Sequence, residues 1–215
     1  MKKSKGLWII LIILLILVAD QALKIWIKTH LMLYQEIRVA DWFYIRFVEN
    51  NGMAMGIEVV AKIFLTFFRI IASFGIVYYL WRLLKRGFKM GYIVCIALIF
   101  AGAVGNIFDS IFYGVIFNDS PVFNEYLPFE TATLFPPEGG YSSWFQGKVV
   151  DMFYFPLFEF NWPSWIPFFG GEKFVFFQYI FNIADASISV GIIVLILFYR
   201  QTFSISFEKK KKICS

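Results

Sequence analysis

Four aspartates stand in blocks that are otherwise mostly apolar: Asp20 in "VADQALKIWIK", Asp109 in "AGAVGNIFDSIFYG", Asp151 in "VVDMFYF" and Asp185 in "FNIADASISVG". An ionised side chain near the centre of a bilayer costs at least about 2.5–3.5 kcal/mol on insertion scales. One such residue is a tolerable defect or half of a structural ion pair. Asp20 and Lys24, four apart on one helix face, are spaced to make such a pair. Four acids from separate segments at one depth point instead to a buried site. Two carboxylates at close range cannot both ionise easily, so the pair shares a proton. One can then act as base towards a water while the other acts as acid. That is aspartyl hydrolysis, which needs no His, Ser, Cys or metal. A carboxylate cluster can equally relay protons or bind a cation, so the acids alone leave the class open.

The elements that must position these acids are membrane helices. The chain has 215 residues, 60% of them hydrophobic, with mean hydropathy +0.69. A soluble domain is nearer half apolar. The excess is gathered in runs of roughly 20 residues, the length that crosses a bilayer. Four spans are predicted, at about 7–27, 61–82, 92–113 and 177–199, in one membrane domain covering 1–215. Lys2, Lys3 and Lys5 precede the first span, Arg82, Lys85, Arg86 and Lys89 link the second to the third, and Lys209 to Lys212 follow the fourth. Segment 114–176 holds only Lys148 and Lys173 among many acids. The net charge of +5 therefore reads as topology rather than nucleic-acid binding. Basic residues mark the cytoplasmic side, which puts both termini inside and segments 28–60 and 114–176 outside. The basic start and apolar run imitate a secretory signal, but no small-x-small cleavage site follows, so an uncleaved span is expected.

Indexed along these spans, Asp20 and Lys24 fall in the outer third of the first, and Asp109 lies one turn beyond Asn106 towards the outer end of the third. Asn182 and Asp185 are expected in the first turns of the fourth, and Asp151 just before it. Gly102 and Gly105 allow close helix contact. Residues 34–60 alternate like strands and then turn, which predicts a small sheet outside. Residues 115–148 read as an irregular insertion. Residues 149–174, crowded with Phe and Trp, read as an interfacial rim or a wall of a lipid-facing groove. His30 is the only histidine, and no nucleophile motif stands near it. Cys95 and Cys214 form neither a disulfide framework nor a metal set.

These blocks, with "FVENNGMAMGI" after the first, occur in the order and topology of bacterial lipoprotein signal peptidase, the type II signal peptidase family, which the chain resembles over nearly its whole length. The resemblance implies an α-helical integral membrane protein: four transmembrane helices, a small outward-facing β-sheet, and a periplasmic loop or helix over the site. It implies that Asp151 and Asp185 are the catalytic aspartates, surrounded by Asp20, Lys24, Asn50, Gly52, Asn106, Asp109, Asn182 and Ala184. It implies an inner-membrane endopeptidase that cuts diacylglyceryl-modified prolipoproteins just before the lipidated cysteine, with its site near the outer surface. No metal or cofactor is expected. The partners are the lipidated substrates and membrane lipid, not nucleic acid, and the chain is expected to be monomeric.

The sequence departs from the family's pattern in two places. The insertion at 115–148 is long. Ser110 stands where the family's GN-x-x-D block ends in arginine. Arg69, inside the second span, is the candidate to replace that arginine in space, because a guanidinium at that depth must find a partner. The competing reading is a proton- or cation-coupled transporter using the same acids. The inner halves of the spans hold almost no polar residues beyond serines such as Ser187 and Ser189, so they offer no continuing path. A third reading is a scaffold whose acids only hold helices together.

Overall fold

The computed structural model of the chain describes residues 2–51 and 58–208. Gly52, Cys214 and Lys209 to Lys212 lie outside them, as does the turn expected after Asn51. Helix α1 covers Lys2–His30, α2 Glu58–Arg86 and α3 Met90–Phe108. A widened π turn, Asp109–Tyr113, and the helical turn α4, Gly114–Ile116, extend α3. Helices α5, Ile183–Phe198, and α6, Arg200–Phe207, come last. Among the described residues three stretches are long and apolar enough to cross a membrane: Ser4–His30, Lys62–Arg86 and Met90–Ile116. Helices α5 and α6, bent by 88° at Tyr199, make a fourth if taken together. The bend falls where "IIVLILF" gives way to the more polar "RQTFSISF", so the apolar length of α5 ends there.

The chain divides into two compact units. The helical unit comprises Met1–Asp20, Phe67–Ile107 and Ile183–Ser215. Its core is Ile9, Leu80, Leu83, Tyr92, Ile93, Ile96 and Ala97. Close approach of α3 to α5 depends on Gly102. A Cβ there would fall 2.2 Å from the Ala184 carbonyl oxygen and 2.6 Å from Ile188. That role matches the one expected for Gly102 from its place in the third span.

The sheet unit comprises Gln21–Thr66 and Phe108–Asn182. Strands β1, Glu36–Ala40, β2, Phe43–Asn50, β3, Val149–Tyr154, and β6, Ile180–Phe181, form one antiparallel sheet in the order β1-β2-β3-β6. Strands β4, Phe158–Asn161, and β5, Lys173–Phe176, form a separate hairpin. The core of this unit gathers Ile27, Leu31, Phe47, Tyr113, Phe117, Val150 and Met152. Residues 149–174 are thus largely strand and hairpin. Burial of Val149 to Met152 on both faces removes the alternation that announces a strand.

The fourth helix starts six residues later than the predicted span. Ile180 and Phe181 pair with Tyr154 and Phe153 instead of joining the helix, so Asn182 precedes α5. Residues 31–50 and 117–182 carry sheet and loop. The 115–148 insertion is irregular, pinned by single bridges from Leu33 to Val122 and from Phe117 to Leu134.

Candidate active site

Strand pairing brings Asp151 to its place in the sheet unit. Asp151 lies opposite Val48 on β2, two residues before Asn50, and is 4% exposed. The Asn182 amide donates to Asp151 Oδ1 at 2.7 Å, and the Asn50 amide donates to Oδ2 at 3.3 Å. The same Asn182 Nδ2 lies 3.2 Å from the Val150 carbonyl oxygen, which fixes the amide's orientation. Both carboxylate oxygens are therefore held by neutral N–H donors, which orient the group without cancelling its charge.

Asp109, at the start of the π turn, is held differently. Lys24 Nζ lies 2.7 Å from its Oδ2, and both side chains are fully buried. Gln21 donates to Oδ1 at 2.8 Å, and the Val150 backbone N–H reaches Oδ2 at 3.4 Å. Tyr113 in turn donates to Gln21 at 3.1 Å. An ion pair with this many supporting bonds ties α1, the π turn and β3 together. The loop that follows packs backbone against backbone: a Cβ on Gly147 would lie 2.0 Å from the Asp109 carbonyl oxygen. Widened turns of this kind recur at functional sites because they re-aim side chains.

The helical unit holds the other acids. The Ala184 backbone N–H donates to Asp20 Oδ1 at 2.9 Å, so Asp20 serves one of the orphan donors at the start of α5. A carboxylate is favoured at that end by the helix dipole. Gly105 leaves room for it, since a Cβ there would be 2.8 Å from Asp20 Oδ2. Asn106 donates to Asp185 Oδ1 at 2.7 Å. Arg69, half-buried on α2, feels the Asp185 carboxylate through space. The ion pair at Asp109 is made by Lys24, and Ser110 is buried next to it.

The expected acids fall in separate polar groupings. Asp151 lies with Asn50 and Asn182, and Asp109 with Lys24. Asp20 meets Ala184, and Asp185 meets Asn106. Sequence reasoning missed Gln21, whose only signal was its place beside Asp20. It also missed a second buried cluster on α1. There Lys28, four residues after Lys24, pairs with Glu49 and donates to Ser120 Oγ at 2.7 Å. The rings of Phe117 and Tyr141 face its ammonium at 5.3 and 5.0 Å. Among the described residues no group of three or more His, Cys, Asp or Glu side chains is placed to hold a metal ion.

Comparison with known proteins gives the arrangement its family. Residues 12–200 match the family described as Signal peptidase (SPase) II. The chain belongs to this signal peptidase II family. It is 52% identical over 201 residues to a lipoprotein signal peptidase of Porphyromonas gingivalis, covering 93% of this chain and 86% of that one. A lipoprotein signal peptidase of Amoebophilus asiaticus is 34% identical over 205 residues, covering 92% of this chain and 80% of the relative. A solved bacterial membrane enzyme superposes with a TM-score of 0.58 at 25% identity, covering 95% of this chain and 94% of that one. Membership makes the chain a multi-pass membrane peptidase. Nothing in these similarities favours a transporter.

Proposed function

We propose that this signal peptidase II works as an aspartyl endopeptidase with Asp151 and Asp185 as its catalytic pair. Its substrate is a prolipoprotein whose cysteine carries diacylglycerol, and cleavage falls just before that cysteine. The observation that supports the reading is that asparagine amides orient both carboxylates, Asn50 and Asn182 at Asp151 and Asn106 at Asp185. Such donors hold a carboxylate in place for proton transfer with a water. Two residues separate Asn182, which holds Asp151, from Asp185 in sequence.

In this mechanism one aspartate is ionised and the other protonated around a water. The base takes the water's proton as its oxygen attacks the scissile carbonyl carbon. The acid gives its proton to the carbonyl oxygen, forming a tetrahedral intermediate. Collapse breaks the C–N bond, and the cysteine amine leaves with a proton. The products are the signal peptide's new carboxyl terminus and the free amine of the lipidated cysteine. Either member of the pair can start as the base. Lipid anchoring of the substrate holds the scissile bond near the acids, an advantage worth several kcal/mol of barrier.

Asp20, Lys24, Asn50, Gly52, Asn106, Asp109, Asn182 and Ala184 support the pair, and Arg69 adds a positive charge on the Asp185 side. One chain supplies both carboxylates, so a monomer suffices. The lysine and arginine distribution supports cytoplasmic termini and a site towards the outer surface. The test is incubation of the purified protein with a diacylglyceryl lipobox peptide and its unlipidated twin, with and without a chelator. Cleavage of the lipidated peptide alone, unaffected by the chelator, is expected. Equal cleavage of both peptides, or chelator inhibition reversed by metal, contradicts the reading.

A further inference from the structure

Strands β4 and β5 form a two-stranded sheet of their own within the sheet unit. Successive side chains of a strand alternate between its faces, and residues paired across a ladder share one. The pairs Phe158–Phe176 and Phe160–Phe174 therefore lie on one face, and Glu159–Val175 and Asn161–Lys173 on the other. On the first face the rings pack against each other. Phe158 stacks on Phe176 with centroids 4.7 Å apart, and Phe160 meets both Phe174 and Trp162 at 5.0 Å. On the second face Lys173 pairs with Glu159 at 2.7 Å, and both side chains are exposed. The hairpin is thus two-sided, aromatic on one side and charged on the other. Phe158, Phe160 and Phe176 stay exposed even so. A lone two-stranded hairpin is marginally stable in water, so an open aromatic face of this kind calls for a cover.

The tip between the strands has the same character. Residues 160–171, "FNWPSWIPFFGG", carry no charge. Trp165 is 79% exposed and Phe168 95%. Phe168 also takes a left-handed backbone, φ 70°, which is unusual for a bulky residue. The tip serves its own backbone. The Trp162 N–H donates to the Glu172 carbonyl and the Gly171 N–H to the Trp162 carbonyl, both at 2.9 Å. The Ile166 N–H reaches the Pro163 carbonyl at 3.1 Å and the Gly170 N–H the Ile166 carbonyl at 3.0 Å. A segment whose N–H groups are satisfied internally loses little on leaving water. Only residues 177–182 separate β5 from α5, an apolar helix of a multi-pass membrane peptidase, so the hairpin is tethered beside the start of that helix. Trp and Tyr gather where a bilayer meets water, and the exposed Tyr179 stands in this same short link. We propose that the β4–β5 hairpin lays its aromatic face and its tip into the interfacial layer of the lipid bilayer, with the Glu159–Lys173 face turned to water. The inserted surface is uncharged, so a zwitterionic phospholipid suffices as partner. The placement does not depend on the catalytic reading.

The test places a nitroxide label on the full-length chain at Phe158→Cys, Phe168→Cys or Asn161→Cys, after Cys95→Ala and Cys214→Ser. Each labelled protein sits in phosphatidylcholine nanodiscs that hold a single chain. Paramagnetic relaxation then reports access of oxygen, which concentrates in lipid, and of a neutral nickel chelate, which stays in water. Oxygen access should exceed nickel access at Phe158 and Phe168, and the order should reverse at Asn161. Nickel access exceeding oxygen access at either aromatic position overturns the proposal. So does low access of both reagents there, which would mean that protein covers the face. A second measurement keeps the native cysteines and needs no label. Fluorescence from Trp165, taken as wild type minus Trp165→Phe, should be largely lost in phosphatidylcholine brominated near the headgroup end of its acyl chains. Equal Trp165 emission in brominated and plain lipid overturns the proposal.

Discussion

Replacing Lys24 with methionine removes the cation from the most deeply buried acid. Both side chains of the pair are fully buried, and their charged atoms are 2.7 Å apart. Breaking a buried ion pair from one side costs about 3–5 kcal/mol, because the remaining charge has lost its partner in a poorly polarisable place. Gln21 and the Val150 N–H would still serve Asp109, so the lower half of that range, about 3–4 kcal/mol, is expected. This is a large share of the roughly 5–15 kcal/mol that holds a typical domain folded. It corresponds to two to three orders of magnitude, about, in the folded-to-unfolded ratio. The double change Lys24→Met with Asp109→Asn removes both charges and retains an acceptor for Gln21. It should recover more than half of the loss. The assay is equilibrium unfolding in mixed detergent micelles, followed by tryptophan fluorescence, on the wild type, both single variants and the double. A Lys24→Met penalty below about 1 kcal/mol, or a double variant as unstable as the two singles combined, refutes the reasoning.

Asn182→Ala should lower kcat by about tenfold or more with little change in KM, because it removes a hydrogen bond that orients a charged group rather than a substrate contact. Steady-state kinetics on the lipidated peptide check this. Arg69→Lys should reduce kcat/KM, since lysine lacks the planar guanidinium, and adding Ser110→Arg to Arg69→Ala should restore part of the activity. Normal turnover by Arg69→Lys removes that residue from the site. At Glu49, burial would push the carboxyl up, but the Lys28 charge, with the bonds from Lys28, Ser120 and Lys148, outweighs it and holds the group below its ordinary value. A depressed folded-state pKa gives stability that is complete above the unfolded value, about 4.3, and is lost as pH falls through the folded one. Glu49→Gln should therefore flatten the acid limb of a stability-against-pH curve below that point. Parallel curves for variant and wild type would contradict the assignment.

The helical part of the fold was legible because membrane spans announce themselves by length and apolar character, without help from tertiary contacts. The first three expected spans fall within α1, α2 and the stretch from α3 to α4. The fourth was misplaced at its start because Phe177 to Phe181, apart from Gln178, carry aromatic or apolar side chains that run on into the helix. Apolar content alone cannot tell a buried strand from a helix. Strand β3 hid for the same reason: Val149 to Met152 are buried on both faces. The acids were legible by contrast with their surroundings, but which neighbour holds which acid was not. Asp20 and Lys24 share a helix face, yet Lys24 reaches Asp109, which is 85 residues away and so outside any local pattern. Gln21 and the Lys28–Glu49–Ser120 cluster depend on strand register and on loop packing against the π turn. No spacing rule anticipates either.

The central claim is that Asp151 and Asp185 perform the cleavage together. It is tested most directly by mass analysis of the products when wild type, Asp151→Asn and Asp185→Asn, each purified and shown to melt like the wild type, act on one diacylglyceryl lipobox peptide. The account predicts two fragments from the wild type, split just before the lipidated cysteine, and intact peptide from both variants. Near-normal turnover by either folded variant would contradict it.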